Sequence, residues 1–116
     1  IIITVLFLLY LCSLPTLSLA KGKRHFTLEN SQYGTRLVKW EGKDSVVDFS
    51  NIQELREVKV IGEMAFEMNK YIKQVILPNN LLIIEKRAFN TCENLQTVKM
   101  PNTVRYIGNS AFNMVH

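Results

Sequence analysis

A six-residue phrase returns at a fixed interval along this chain, and that periodicity limits the possible folds more than any other feature. Ile61-Gly62-Glu63-Met64-Ala65-Phe66 is followed by Ile84-Glu85-Lys86-Arg87-Ala88-Phe89 and then by Ile107-Gly108-Asn109-Ser110-Ala111-Phe112, each 23 residues after the last. The register holds between the phrases. Ile72, Val75, Leu77, Pro78, Asn79, Leu81 and Ile84 correspond to Leu95, Val98, Met100, Pro101, Asn102, Val104 and Ile107. A short period of this kind marks a stack of equivalent coils, in which each unit covers the core face of its neighbours.

The spacing within one unit sets its local structure. Val75 and Leu77, like Val98 and Met100, alternate with period two, as in a short strand with one face buried. Pro78 and Pro101 end the strand because proline has no N–H for the ladder. The chain turns at Asn79 and Asn102, returns Leu81/Ile84 and Val104/Ile107 inward, and makes a tight Ala-Phe turn too short for a helix. Phe66, Phe89 and Phe112 are therefore expected to stack in a column. About seven buried apolar side chains contribute roughly 10–20 kcal/mol per unit. Ordering the unit's backbone costs about 1–2 kcal/mol for every residue. One unit cannot fold alone, and stacking is obligatory.

An irregular copy precedes the regular ones. Val47-Asp48-Phe49-Ser50-Asn51 aligns with Val75-Ile76-Leu77-Pro78-Asn79, but Ser50 to Ile61 is eleven residues where Pro78 to Ile84 is six, an excess of five. Residues 21–46 are expected to form an N-terminal cap and lead-in, with turns at Tyr33-Gly34 and Glu41-Gly42-Lys43-Asp44 and a strand over residues 35–40. The repeats, one degenerate, two full and one partial, occupy residues 47–116.

Residues 1–20 carry no charge and are mostly Ile, Leu, Val and Phe. Such a run partitions into membrane, where each charge would cost about 2.5–3.5 kcal/mol. Pro15 interrupts its far end, and Ser18-Leu19-Ala20 presents small residues to a signal peptidase. The expected outcome is a cleaved signal peptide, cut after Ala20, and a secreted or cell-surface protein. The alternative is an uncleaved signal anchor, which would leave a membrane protein, including a scaffold anchored on the inner side.

Composition excludes several function classes. The net charge of +4 comes largely from Lys21, Lys23 and Arg24, so the remainder is nearly balanced and no basic face for nucleic acid is implied. Two cysteines, one of them Cys12 in the signal segment, make no disulfide framework. His25 and His116 are too far apart for a zinc pair, and Cys92 lacks a CxxC partner and is expected in the core. Asp44 with Asp48, and Glu54 with Glu57, read as solvated acidic residues rather than acid/base pairs. No glycine-rich phosphate loop occurs. The expectation is a protein without enzymatic activity, cofactor or metal, touching membrane only through targeting or anchoring.

These residues resemble the BspA-like (Treponema-type) leucine-rich repeat. The L-x-x-I-x-L-P segment of that class is matched by residues 72–78 and 95–101, and its I-G-x-x-A-F turn by residues 84–89 and 107–112. Glu85 departs from the glycine of the pattern, and the cysteine that often follows Ala-Phe occurs only as Cys92. The resemblance covers residues 46–116 and implies an α/β-class leucine-rich repeat solenoid with short parallel strands, 23-residue coils and short turn or 3-10 segments in place of long helices. It also implies a microbial surface or secreted protein that adheres to host or matrix proteins. Strand residues alternating with the core positions would face outward along a concave sheet: Gln74 and Ile76, Thr97 and Lys99, with Asp48 as the equivalent in the first copy. These five are the candidate ligand-binding residues, and a protein is the expected partner. The alternative function is a structural capping segment of a longer array, with no ligand of its own.

Overall fold

The computed structural model describes residues 25–113. The expected signal peptide, its cleavage after Ala20, the basic tail at residues 21–24 and His116 lie outside the described residues.

The chain forms a β-solenoid in which each coil contributes one short strand to each of two sheets. A hairpin opens it: β1 (Phe26–Ser31) pairs antiparallel with β2 (Gly34–Trp40). The turn expected at Tyr33-Gly34 is there, and the strand expected from residue 35 starts one residue earlier. Gly34 has φ +120°, and a Cβ on it would lie 2.6 Å from Lys59 Cγ, so only glycine fits. The strands that follow are β3 (Val46–Asp48), β4 (Val58–Ile61), β5 (Gln74–Ile76), β6 (Ile83–Ile84), β7 (Thr97–Lys99) and β8 (Tyr106–Ile107). One sheet runs β1-β2-β4-β6-β8, the other β3-β5-β7, and every pair after the hairpin is parallel. The second strand of each coil, β4, β6 or β8, was not legible in the sequence. At two to four residues it is too short to show alternation. Among the described residues no α-helix forms; the first coil has two 3-10 turns, Phe49–Asn51 and Gln53–Leu55.

The Ala-Phe corners form a third hydrogen-bonded column. Met64, Phe66 and Met68 donate their backbone N–H to the carbonyls of Lys86, Ala88 and Asn90 at 3.2, 2.7 and 2.8 Å. Arg87, Phe89 and Thr91 repeat this one coil on, toward Asn109, Ala111 and Asn113, at 3.0, 2.7 and 2.8 Å. The residues between them close turns within their own coil, such as Ala65 N–H to Gly62 O at 3.1 Å. This zigzag demands left-handed backbone at equivalent places: φ is 60° at Met64, 59° at Arg87 and 59° at Ser110, then 63° at Met68 and 60° at Thr91.

The aromatic column exists and runs further than expected. Ring centroids of Phe66 and Phe89 are 4.7 Å apart and those of Phe89 and Phe112 5.1 Å, with interplanar angles of 12° and 5°. Trp40 stacks below Phe66 at 5.9 Å, and Phe26 below Trp40 at 5.9 Å. The hairpin thus extends the column by two rings and covers the core at that end. Ile61, Ala65, Ile72, Val75, Leu81, Ile84, Ala88 and Leu95 fill the rest of the interior and are fully buried. Met100 and Ile107, expected inward by register, are 40% and 47% exposed. They lie on the last described coil, with no coil above them among the described residues.

Candidate recognition surface

The three-stranded sheet brings the candidate residues together. Parallel pairing aligns Val46, Gln74 and Thr97 in one row and Asp48, Ile76 and Lys99 in the next. Between the rows Val47 and Val75 point inward and are buried, and Val98 packs against the same core. The outer face is thus two parallel rows on a hydrogen-bonded platform, strands about 4.8 Å apart. Gln74, Thr97 and Lys99 make no side-chain hydrogen bond or ion pair among the described residues, so their polar groups face solvent.

Asp48 is in the expected row but differs in role. Its carboxylate accepts from Ser50 N–H at 2.9 Å, from Ser50 Oγ at 2.6 Å and from Asn51 Nδ2 at 3.3 Å, which caps the first 3-10 turn. Its lone pairs are spent on the fold. Val46, half exposed, opens the other row beside Gln74 and was not singled out in the sequence, because strand β3 was read from Val47 onward.

The outer face of the larger sheet carries a second row: Glu29, Arg36, Val60, Ile83 and Tyr106. Bulges beside Thr27/Leu28 and Thr35/Arg36 reset the alternation and put Arg36 outside while Leu37 stays in the core. Arg36 lies across Gly62, whose added Cβ would stand 3.1 Å from the guanidinium carbon and 2.6 Å from Leu37 O. It reaches Glu29 at 2.8 Å and Glu85 at 2.8 Å, while Glu63 N–H donates to the same Glu85 oxygen at 3.0 Å. Glu85, the departure from the glycine pattern, is thus the far end of a clamp joining the hairpin to the first regular coil. The hydrogen bond to Glu85 raises the Arg36 pKa above its ordinary value and keeps it charged. Glu29 and Arg36 on this face are tied up in structure, whereas Gln74, Thr97 and Lys99 on the three-stranded face are not.

Reactive chemistry is sparse. Cys92 is fully buried and its thiol donates to Phe66 O at 3.0 Å. Burial pushes its pKa up to about 11, which leaves almost no thiolate at neutral pH and suits a core residue rather than a nucleophile. Among the described residues no group of three or more His, Cys, Asp or Glu could hold a metal ion. Asn90, in the Asn90-Thr91-Cys92 triplet, is 8% exposed and both ends of its amide are engaged, with Glu67 at 2.8 Å and Asn113 at 3.1 Å.

Residues 44–116 match the family model described as "BspA type Leucine rich repeat region (6 copies)". The chain belongs to that family. Two solved leucine-rich repeat proteins show the same fold. The crystal structure of the T. pallidum leucine-rich repeat protein is 25% identical and superposes with a TM-score of 0.71 over 80% of this chain and 44% of its own. A leucine-rich repeat protein from Bacteroides capillosus is 26% identical, with a TM-score of 0.64 over 78% of this chain and 72% of its own. The chain thus spans less than half the length of the T. pallidum protein. No curated protein sequence matches it.

Proposed function

We propose that this chain is a non-enzymatic recognition module, exported by the segment at residues 1–20, that binds a protein partner across the outer face of the three-stranded sheet. Residues 21–46 serve as its cap and residues 47–116 as its repeats. The observation that carries this reading is the pair of aligned rows, Val46/Gln74/Thr97 and Ile76/Lys99, whose side chains serve no structural bond while the strands beneath them are paired and packed on the core. Ile76 and Val46 supply apolar contact between polar neighbours, a mixture that suits protein more than sugar. A standard protein interface uses about 20–30 residues per side, so three strands bind weakly and gain useful strength from further coils or from many copies on a surface. Adhesion to host or matrix proteins fits such avidity.

Substituting Gln74→Glu, Ile76→Asp, Thr97→Ala and Lys99→Glu together in the full exported protein is expected to reduce its retention on immobilised matrix proteins by about tenfold or more, equivalent to about 1.4 kcal/mol. The far-ultraviolet spectrum should stay unchanged, because all four side chains lie outside the core. Undiminished retention would sink the recognition reading. It would favour the structural cap, a role that the two extra rings of the hairpin support.

A further inference from the structure

The five-residue excess of the first coil does more than loosen a repeat. After β3 the chain passes through the two 3-10 turns before reaching β4, whereas the next coil turns directly at Pro78, Asn79 and Asn80. The longer path stands away from the shorter one. Between them lies a cleft of about 260 Å³, walled by Ser50, Arg56 and Glu57 on one side and by Pro78, Asn79 and Asn80 on the other. It opens at the carboxyl ends of β3 and β5.

The lining is chemically uniform in one respect: five of its six residues carry polar side chains. Arg56 Nε donates to Ser50 O at 2.8 Å, which orients the guanidinium while its two terminal nitrogens make no bond to protein among the described residues. Glu57, Asn79 and Asn80 also make no side-chain bond there. The Ser50 hydroxyl donates to Asp48 and keeps its lone pairs for accepting. Arg56 and Glu57 cancel in charge, so an anion or a cation would each meet a group of its own sign. What remains is a neutral wall of interleaved donors and acceptors, with the Pro78 ring as its apolar patch. Planar amide, guanidinium and carboxylate groups engage adjacent hydroxyls in pairs. The volume is below the roughly 300–1,000 Å³ of pockets for drug-sized ligands, which restricts the occupant to about a single ring.

We infer that this cleft is a binding site for one neutral saccharide unit. The inference is independent of the protein-binding face, since no residue is shared between them. With no aromatic platform in the lining, affinity falls in the millimolar range.

The test is a two-dimensional NMR titration of this chain with the methyl glycosides of glucose, galactose and mannose, and separately with acetate and methylguanidinium. Saturable shifts confined to Ser50, Arg56, Glu57, Asn79 and Asn80 with at least one glycoside are expected. Asn79→Ala and Glu57→Gln should each weaken that binding by about tenfold, with the remaining resonances unmoved as proof that each variant is folded. The inference is overturned if no glycoside produces a saturable shift at these residues. It is equally overturned if either ion moves them as strongly, which would make the cleft an ionic site.

Discussion

Non-glycine residues in left-handed backbone are the most strained positions in this molecule, and they recur because the corner ladder requires them. Met64, Arg87 and Ser110 occupy one such position; Met68 and Thr91 occupy the other. Of these Thr91 is the least suited, since a β-branched side chain at φ 60° crowds its own backbone. Its side chain makes no bond among the described residues. Thr91→Asn is therefore expected to raise stability by about 0.5–1 kcal/mol, read as a higher urea midpoint. A lower midpoint would mean that the hydroxyl or methyl group contributes packing that outweighs the strain. Nothing in the sequence marked these positions, because Met, Arg, Ser and Thr share no propensity for left-handed backbone. Only the stacked hydrogen bonds identify them. The candidate residues fared differently: alternation against Val75 and Val98 was enough to place Gln74, Ile76, Thr97 and Lys99 outward. Asp48 shared the row, but its capping of Ser50 depended on the irregular turn that follows it.

Among the elements, the Ala-Phe corners carry a polar ladder alongside the aromatic one. Glu67, Asn90 and Asn113 occupy one register position, and each is linked to the next: Asn90 Nδ2 donates to Glu67 at 2.8 Å and Asn113 Nδ2 to Asn90 Oδ1 at 3.1 Å. Arg87 adds an ion pair to the same Glu67 oxygen at 2.8 Å. The hydrogen bond from Asn90, with Arg87 assisting, holds the Glu67 pKa below its ordinary 4.5. Because the folded value is depressed, this contribution to stability is present above the unfolded pKa and is lost as pH falls through the folded one. Asn90→Asp inverts the sign. It removes the donor and sets a second carboxylate against Glu67, so one carboxyl pKa of the pair rises in the folded state. The variant should lose roughly 1–3 kcal/mol at neutral pH and recover part of that as the medium is acidified toward pH 5, where the native protein gains nothing. Urea midpoints measured across that range check it; a deficit that does not shrink on acidification would rule out carboxylate repulsion as its cause.

For the molecule as a whole, the aromatic column from Phe26 to Phe112 is a shared core that no coil owns. Phe89 is its best-covered ring, fully buried between neighbours at 4.7 and 5.1 Å, while Phe112 is only partly buried. Phe89→Ala should cost about 3–5 kcal/mol and Phe112→Ala less than half of that. The single tryptophan, Trp40, sits within the column at the hairpin end, two rungs from Phe89. Its fluorescence and the far-ultraviolet signal should shift together in Phe89→Ala if the coils unfold as one. Separate transitions would mean that the hairpin end holds without the central rung.

The repeat period, the buried register of the inner coils, the outward positions Gln74, Ile76, Thr97 and Lys99 and the stacking of Phe66, Phe89 and Phe112 were determined by sequence alone, because stacking equal coils converts a linear interval directly into spatial neighbours. Tertiary structure decided the rest. Two sheets arise where one was legible, because strands of two residues are defined by partners in adjacent coils and not by their own pattern. Arg36 meets Glu85 across Gly62 because two bulges turn the hairpin's alternation outward, and a bulge has no signature in these residue types. The cleft beside Asn79 likewise exists because a longer path and a shorter one lie on successive coils, and its shape belongs to the gap between them.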